Sequence, residues 1–184
     1  MRIITGSARG RKLKAPKNTN NSNIRPTSDS VKEAIFSAIQ FDIGGAVVAD
    51  LFAGTGQLGI EALSRGAKFV FFADNSPESI AVIRENLKLC GFTDNTEISP
   101  LSAAAFLKKT TAIFDIAFLD PPYGEDLINR TLPDLIPKIN ENGLIVCEYE
   151  KECRVLDTCG NFKIRKTYKH GKKFITIYGA KTLK

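Results

Sequence analysis

Short apolar runs alternate with segments of helical spacing from residue 46 onward. Each run has the length of a strand, and most runs are followed by a segment whose apolar positions recur every three or four residues. Strands are predicted at 46–52, 68–74, 96–99, 114–120 and 144–150. Helices are predicted at 57–65, 76–91, 103–109 and 132–139. Near-continuous apolar strands are typical of a parallel sheet that is covered on both faces.

The first part of the chain is short on apolar periodicity. Residues 2–16 are compatible with a small hairpin, and the polar run at 17–23 predicts a mobile loop. A helix is then predicted to begin near Ser30, because Ser30 and Glu33 form a capping box in front of an apolar stripe.

The last part of the chain predicts an antiparallel hairpin, because the segments 161–168 and 172–178 flank the turn at 169–171. The chain is therefore predicted to be a doubly wound α/β sheet that ends in a hairpin. We divide it into a basic N-terminal extension, residues 1–28, and a main domain, residues 29–184.

The positive charge is concentrated at the two ends of the chain. Residues 1–28 contain seven Lys or Arg and no acid, and residues 163–184 contain eight and no acid. The centre, 29–162, has 11 bases against 20 acids, so the ends account for the net charge of +6. Basic ends can simply aid solubility, but clustered Lys and Arg also bind polyanions, and we expect both ends to contact nucleic acid.

The composition is that of an ordinary globular protein, with 43% hydrophobic and 25% charged residues. The N-terminus lacks the apolar stretch of a signal peptide, and no run approaches the ~20 apolar residues of a membrane span. Four cysteines match no metal or redox spacing, and there is a single histidine. We therefore expect a cytoplasmic monomer without a metal.

A glycine-rich segment follows the first predicted strand and indicates a nucleoside ligand. Gly54, Gly56 and Gly59 spell the dinucleotide fingerprint G-x-G-x-x-G, and Asp74 follows at the spacing of a ribose-binding acid. However, Asp50 would repel a pyrophosphate in the same loop, whereas it suits a cationic sulfonium or amino group. This favours S-adenosylmethionine over NAD, although a simple tight turn and an NAD-dependent oxidoreductase remain alternatives.

The sequence Asp-Pro-Pro-Tyr at 120–123 ends the fourth predicted strand. The two prolines stiffen the chain and remove backbone donors, so carbonyl oxygens and the Asp120 carboxylate present acceptors in a fixed array. Such acceptors suit the exocyclic amine of a base, and the Tyr123 ring can stack on the heterocycle. The alternative is a turn that contains a buried tyrosine.

These motifs resemble a known family. The segments "DLFAGTGQLGIEALSRGA" and "DPPY" are similar to class I S-adenosylmethionine-dependent methyltransferases, which have a Rossmann-like fold. The segments "RIITGSARGRKL", "RPTSDSVKEAIF" and "YKHGKKFITIY" resemble, more narrowly, the bacterial enzymes that methylate guanine N2 in 16S ribosomal RNA. The resemblance implies seven strands in a mixed sheet of order 3-2-1-4-5-7-6, with helices on both faces.

The resemblance also implies the site residues. The loop from Asp50 to Gly56 is expected to wrap the methionine part of the cofactor, Asp74 its ribose, and Ser102-Ala103 its adenine. Ser102 stands where the family often has Asp, and Asp74 where it often has Glu. The implied cofactor-binding residues are Asp50, Phe52, Ala53, Gly54, Thr55, Gly56, Asp74, Asn75, Ser102 and Ala103. The implied catalytic residues are Asp120, Pro121, Pro122 and Tyr123, and the implied substrate-binding residues are Arg9, Arg11, Lys12, Arg25 and Thr27.

The expected substrate is therefore ribosomal RNA, or an assembly intermediate of the small ribosomal subunit. The amine of a DNA adenine or of a protein side chain is the alternative target within the methyltransferases. A binding module without catalysis would tolerate the loss of Asp120 or Gly54, and both are present. His170 lies in the predicted hairpin turn, so we do not expect it to act as the base.

Overall fold

A mixed β-sheet forms the centre of the computed structural model, which describes residues 1–16, 28–122, 126–150 and 153–180. The described residues form eight strands, in the order β3-β2-β1-β4-β5-β8-β7-β6. Their bounds are β1 Val47–Leu51, β2 Phe69–Ala73, β3 Thr96–Ser99, β4 Phe114–Leu119, β5 Ile139–Glu150, β6 Thr158–Cys159, β7 Phe162–His170 and β8 Lys173–Ala180. The five strands from β3 to β5 are mutually parallel, and β8, β7 and β6 continue the sheet in antiparallel pairs.

The predicted count of seven strands was wrong. The additional strand is β6, which has two residues and pairs at the sheet edge with Phe162 and Lys163. A two-residue strand is too short to show alternation, so no pattern in the sequence indicated it. The order of the other seven strands is the predicted one. The last strand of the C-terminal hairpin, β8, lies beside β5, and β7 lies on the outer side of β8.

Helices cover both faces of the sheet. Consecutive residues of β1, Val48 and Ala49, belong to two different hydrophobic cores, which shows that the strand is buried on both sides. The core on Val48's side is covered by α1, α2, α3 and the N-terminal segment, and the core on Ala49's side by α4 and α5. The helices are α1 Asp29–Ala38, α2 Gln57–Ser64, α3 Pro77–Cys90, α4 Ala103–Lys109 and α5 Leu127–Leu135.

Two helices begin earlier in the chain than predicted. The N-cap of α1 is Ser28, whose hydroxyl accepts a hydrogen bond from the Val31 amide at 3.3 Å, so the capping box at Ser30 was wrong. Helix α5 spans Leu127–Leu135 instead of the predicted 132–139. Ile139 is already the first residue of β5, where it pairs with Phe114 of β4. The polar residues 140–142 concealed the first part of β5.

The N-terminal segment, residues 1–16, packs against the helices of one face. Its apolar residues Ile3, Ala8 and Leu13 are buried in the same core as α1, α2 and α3. Gly6 adopts φ +89°, and a Cβ there would lie 1.7 Å from the Ser64 carbonyl oxygen. This close approach lets the Ser7 amide donate to the same carbonyl at 2.8 Å, which holds the segment against the end of α2. The polar loop predicted at 17–23 lies outside the described residues.

A buried carboxylate on α2, Glu61, joins this segment to two helices. The carboxylate is completely buried and forms an ion pair with the equally buried Lys32 of α1, at 3.3 Å. Burial lowers the pKa of Lys32, an effect that the negative charge of Glu61 opposes. The remaining donors to Glu61 are Ile4 N (2.8 Å), Thr5 N (3.0 Å) and Arg65 Nε (2.9 Å).

We expect Glu61→Gln to lower the free energy of unfolding by roughly 3 kcal/mol, because it leaves the Lys32 ammonium buried without its counter-charge. Urea denaturation of the two proteins measures this difference. The control is Glu85→Gln, which breaks an exposed ion pair with Lys14 and should cost under about 1 kcal/mol. Equal effects of the two substitutions would show that the buried pair has no special role in stability.

Candidate functional site

The carboxyl ends of β1, β2 and β4 lie side by side at one edge of the sheet. Leu51 at the end of β1 pairs in register with Ala73 of β2 and with Leu119 of β4. The segments that follow these three strands therefore converge, and this is the edge where open α/β sheets bind their ligands. The glycine loop, Asp74 and Asp120 are the residues that this register brings together.

The glycine loop at 52–56 has an unusual backbone. Phe52, Gly54 and Gly56 have φ values of 68°, 55° and 75°, in the left-handed region. Such a conformation is disfavoured for phenylalanine and is held here because the Phe52 and Ala53 amides both donate to the Ala73 carbonyl at 3.1 Å. The loop is thereby fixed to the end of β2 before it enters α2.

Gly59 allows α2 to pack closely on the sheet. A Cβ at this position would lie 2.3 Å from the ring of Phe72 on β2, so only glycine fits without displacement. The Gly59 amide also donates to the Asp50 carboxylate at 2.9 Å, which ties the first turn of α2 to the end of β1.

Asp50 is a buried acid in an unfavourable environment for its charge. Only 2% of the residue is exposed, and burial raises its pKa to about 8. The hydrogen bond from Gly59 opposes this rise, whereas the negative charges of Asp120 and Asp74 add to it. A positively charged group bound at this edge would be stabilised by the negative charges of Asp74 and Asp120, and it would favour the ionised form of Asp50.

Asp74 supports the glycine loop through both of its carboxylate oxygens. Its Oδ2 accepts a hydrogen bond from the Gly54 amide at 2.8 Å, and its Oδ1 accepts one from the Ser76 amide at 2.8 Å. Ser76 is the N-cap of α3, so one side chain joins the loop to that helix. The sequence pattern had assigned Asp74 to the ribose alone, and this anchoring function was not foreseen. The neighbouring Asn75 is exposed.

Ser102 and Ala103 lie at the start of α4. The Ser102 hydroxyl accepts a hydrogen bond from the Ala105 amide at 3.3 Å and caps the helix, while Ala103 is buried. A serine directly before the run of alanines was itself the signal for a cap. Ser102 is exposed, so a ligand can still reach it.

Asp120 and Pro121 follow β4 directly, and Pro121 borders a cleft. Asp120 is half-buried, Pro121 is buried and Pro122 is exposed, and both prolines line this cleft together with residues of β5 and α5. Tyr123 lies outside the described residues.

Glu148 of β5 also lines this cleft, and sequence reasoning missed it. The residue is 1% exposed and forms an ion pair with Lys173 of β8. The available signal was an acid inside the otherwise apolar strand sequence "LIVCEYE".

The three predicted substrate-binding residues that the structure describes, Arg9, Arg11 and Lys12, are exposed on the N-terminal segment. Arg11 donates from its guanidinium to the Leu89 carbonyl of α3 at 2.6 Å. The start of the chain lies close to the glycine loop, because the Thr55 hydroxyl contacts the Met1 sulfur at 3.3 Å. Arg25 and Thr27 lie outside the described residues.

The part of the chain that the structure describes has neither a metal-binding cluster nor a membrane-spanning helix. No group of three or more His, Cys, Asp or Glu is arranged there to hold a metal ion. None of the helices found there is both long enough and apolar enough to cross a membrane.

The mixed sheet with helices on both faces, the glycine loop after β1 and the acid-proline-proline segment after β4 define a Rossmann-like methyltransferase. The family described as "Conserved hypothetical protein 95" matches residues 1–179. The chain therefore belongs to this family, and the resemblance seen in its sequence is confirmed.

Several known proteins are similar to it over most of their length. YlbH of Bacillus subtilis (strain 168) is 39% identical over 97% of this chain and 98% of its own. Ribosomal RNA small subunit methyltransferase D of Haemophilus influenzae is 37% identical over 83% of this chain and 80% of its own. The solved structure of the yhhF protein of Escherichia coli superposes with a TM-score of 0.87 at 29% identity, covering 100% and 99% of the two chains.

We expect Asp50→Asn to change how stability depends on pH. The wild-type carboxyl stays protonated in the folded protein up to about pH 8, whereas in the unfolded chain it ionises near its ordinary pKa of 3.8. Between these values a rise in pH favours the unfolded wild-type chain, and asparagine cannot ionise. The melting temperature of the variant minus that of the wild type should therefore rise between about pH 5 and pH 8.

Thermal denaturation at several pH values checks this expectation. Asp42→Asn, in an exposed loop, controls for the loss of one carboxylate. If the difference for Asp50→Asn did not vary with pH, Asp50 would have to be ionised in the folded protein throughout the range.

Proposed function

We propose that the protein transfers a methyl group from S-adenosylmethionine to the exocyclic N2 amine of a guanine in 16S ribosomal RNA. The proposal rests first on the family and on relatives that are named as ribosomal RNA small subunit methyltransferases. The single observation that carries it is the register of β1 with β4, which brings Asp120 close to Asp50 at the start of the glycine loop, while Pro121 lines the neighbouring cleft.

The residues of the glycine loop fit a cationic nucleoside better than a dinucleotide. The loop turns through left-handed conformations and lies near the negative charges of Asp74 and Asp120, which already disfavour ionisation of Asp50 and would equally disfavour a pyrophosphate. The residues that would hold the cofactor are Asp50, Phe52, Ala53, Gly54, Thr55, Gly56, Asp74, Asn75, Ser102 and Ala103. When bound, S-adenosylmethionine supplies the methyl group.

The target base would be held by acceptors at the end of β4. The lone pair of the guanine amine is delocalised into the ring, so the amine is a poor nucleophile. Hydrogen bonds from its two N–H groups to Asp120 and a proline carbonyl would rotate and polarise it. The Asp120 carboxylate would also stabilise positive charge that develops on the nitrogen. Pro121 and Pro122 have no N–H that could compete for these acceptors. Tyr123 would stack on the base.

The basic ends would hold the RNA that surrounds a flipped nucleotide. Arg9, Arg11 and Lys12 are exposed near the start of the chain, and Arg25 and Thr27 belong to the same proposed extension, residues 1–28. The tip of the β7–β8 hairpin contacts the start of α1, where His170 Nε2 lies 3.0 Å from Ser30 Oγ. This contact brings lysines of the hairpin close to the segment that follows the extension. Two clusters of positive charge that meet in this way would suit a polyanion.

The substrate is tested by presenting labelled S-adenosylmethionine with four separate acceptors: 16S RNA, partly assembled small subunits, genomic DNA and bulk protein. Digestion to nucleosides identifies the product, and we expect N2-methylguanosine. Asp120→Ala should lower kcat by about 100-fold or more, because it removes a carboxylate that acts in the transition state. Asp120→Asn, which keeps the size and one acceptor oxygen, should retain more activity than the alanine variant.

Label in DNA or in protein would support the assignment as a methyltransferase but contradict the proposed RNA substrate. Tight NAD binding without any methyl transfer would reject the proposed cofactor as well.

The double variant Arg9→Glu with Arg11→Glu reverses two charges. It should weaken RNA binding by at least about tenfold near 0.1 M salt and reduce the salt dependence of the affinity. The affinity for S-adenosylmethionine should change little. Lys108→Glu with Lys109→Glu, at the end of α4 on the opposite face of the sheet, makes the same change in net charge. If both double variants bound RNA equally well, the N-terminal segment would have no part in RNA binding.

A further inference from the structure

Glu148 is a buried carboxylate beside the proposed methyl-acceptor site. On β4 and β5, Phe118 pairs with Val146 and Leu119 with Cys147. Extended by one residue, this register places Glu148 opposite Asp120. Phe118 and Val146 belong to the same core, and alternation along the two strands directs Asp120 and Glu148 to that same face. Glu148 also borders the cleft that Pro121 and Pro122 line. The side chain is therefore positioned next to the base that Asp120 is proposed to hold.

The two oxygens of Glu148 have different surroundings. Oε1 forms the ion pair with Lys173, whereas Oε2 is buried and has no hydrogen-bond partner. Within the described residues it is the only buried side-chain nitrogen or oxygen in this condition. Leaving a buried carboxylate oxygen unpaired is costly, so such atoms in native proteins generally have a partner or a functional reason. Here the unpaired oxygen lies on a residue that lines the cleft.

We propose that Glu148 recognises the Watson–Crick edge of the target guanine, with Oε2 accepting a hydrogen bond from N1–H. This rests on the function proposed above. Guanine places the N1–H donor directly beside its N2 amine, so one carboxylate can hold the ring while Asp120 holds the amine. Adenine has a lone pair at N1, which would face the carboxylate oxygen and be repelled. Glu148 would thereby select guanine over adenine.

The test compares two RNAs that differ only at the nucleotide that the wild-type enzyme methylates. One carries guanine and the other carries 2-aminopurine, which keeps the N2 amine but has an unprotonated N1. In Glu148→Gln the amide oxygen is expected to face Lys173 and the amide NH2 to face the cleft. The NH2 group would then repel the N1–H of guanine but donate a hydrogen bond to the N1 lone pair of 2-aminopurine. The ratio of kcat/KM for guanine over 2-aminopurine should fall by about 10- to 100-fold relative to the wild type.

Glu150→Gln is the matched control. It removes the same charge from the same strand at a half-exposed position that does not line the cleft, and its ratio should equal that of the wild type. The ratio of two substrates is independent of the fraction of active protein, so a partly unfolded preparation does not disturb the comparison. If Glu148→Gln does not fold, Glu148→Asp keeps the charge but withdraws the oxygen by one methylene, and its ratio should also fall.

Equilibrium binding of the same two RNAs, measured by fluorescence anisotropy without cofactor, gives a second readout that should change in the same direction. A uniform loss on both RNAs, with an unchanged ratio, would assign Glu148 a structural role and overturn the inference. Failure of the wild-type enzyme to methylate any guanine would instead overturn the proposed function on which the inference rests.

Discussion

The buried Glu61 carboxylate is the interaction on which the arrangement of this molecule depends. It binds Lys32 of α1, Arg65 at the C-terminal end of α2 and two amides of the N-terminal segment. Because α2 begins directly after the glycine loop, the same charge connects that loop to the segment that carries Arg9 and Arg11. An ion pair with complete burial tolerates little displacement, since each partner would be left without compensation in a medium of low polarity. The glycine loop and the residues proposed to contact RNA are thus held in a fixed arrangement.

Negative charge is the second organising feature. Asp50, Asp74 and Asp120 lie at the ends of three adjacent parallel strands, and the charges of Asp74 and Asp120 raise the cost of ionising Asp50. Two of them also accept hydrogen bonds from the backbone. Asp50 accepts one from the Gly59 amide, and Asp74 accepts one each from the Gly54 and Ser76 amides. The carboxylates therefore shape the loop while they set the charge of the ligand that it suits. A sulfonium and the amine of a base fit such an edge, and a pyrophosphate does not.

Much of the fold could be predicted because its signals are local. The N-cap at Ser76 with Pro77 marked α3, and the apolar runs marked β1, β2 and β4 within about one residue of their ends. The predictions that were wrong concerned weak or competing local signals. Ser28 and Ser30 are both acceptable caps, and α5 contains Pro133, so the pattern alone favoured the wrong starting residue in each case. Strand β6 had no pattern to recognise.

By itself the sequence determined the α/β alternation, the glycine loop and the acid-proline-proline segment, and with them the class of chemistry. These features depend on neighbours within a few residues, where periodicity and turn preferences act directly. Only the tertiary structure decided that Glu61 receives the amides of residues 57 and 56 positions away, or that Glu148 stands level with Asp120. Such contacts depend on strand register and helix packing, which bring distant residues together and leave no spacing in the sequence from which they can be recognised.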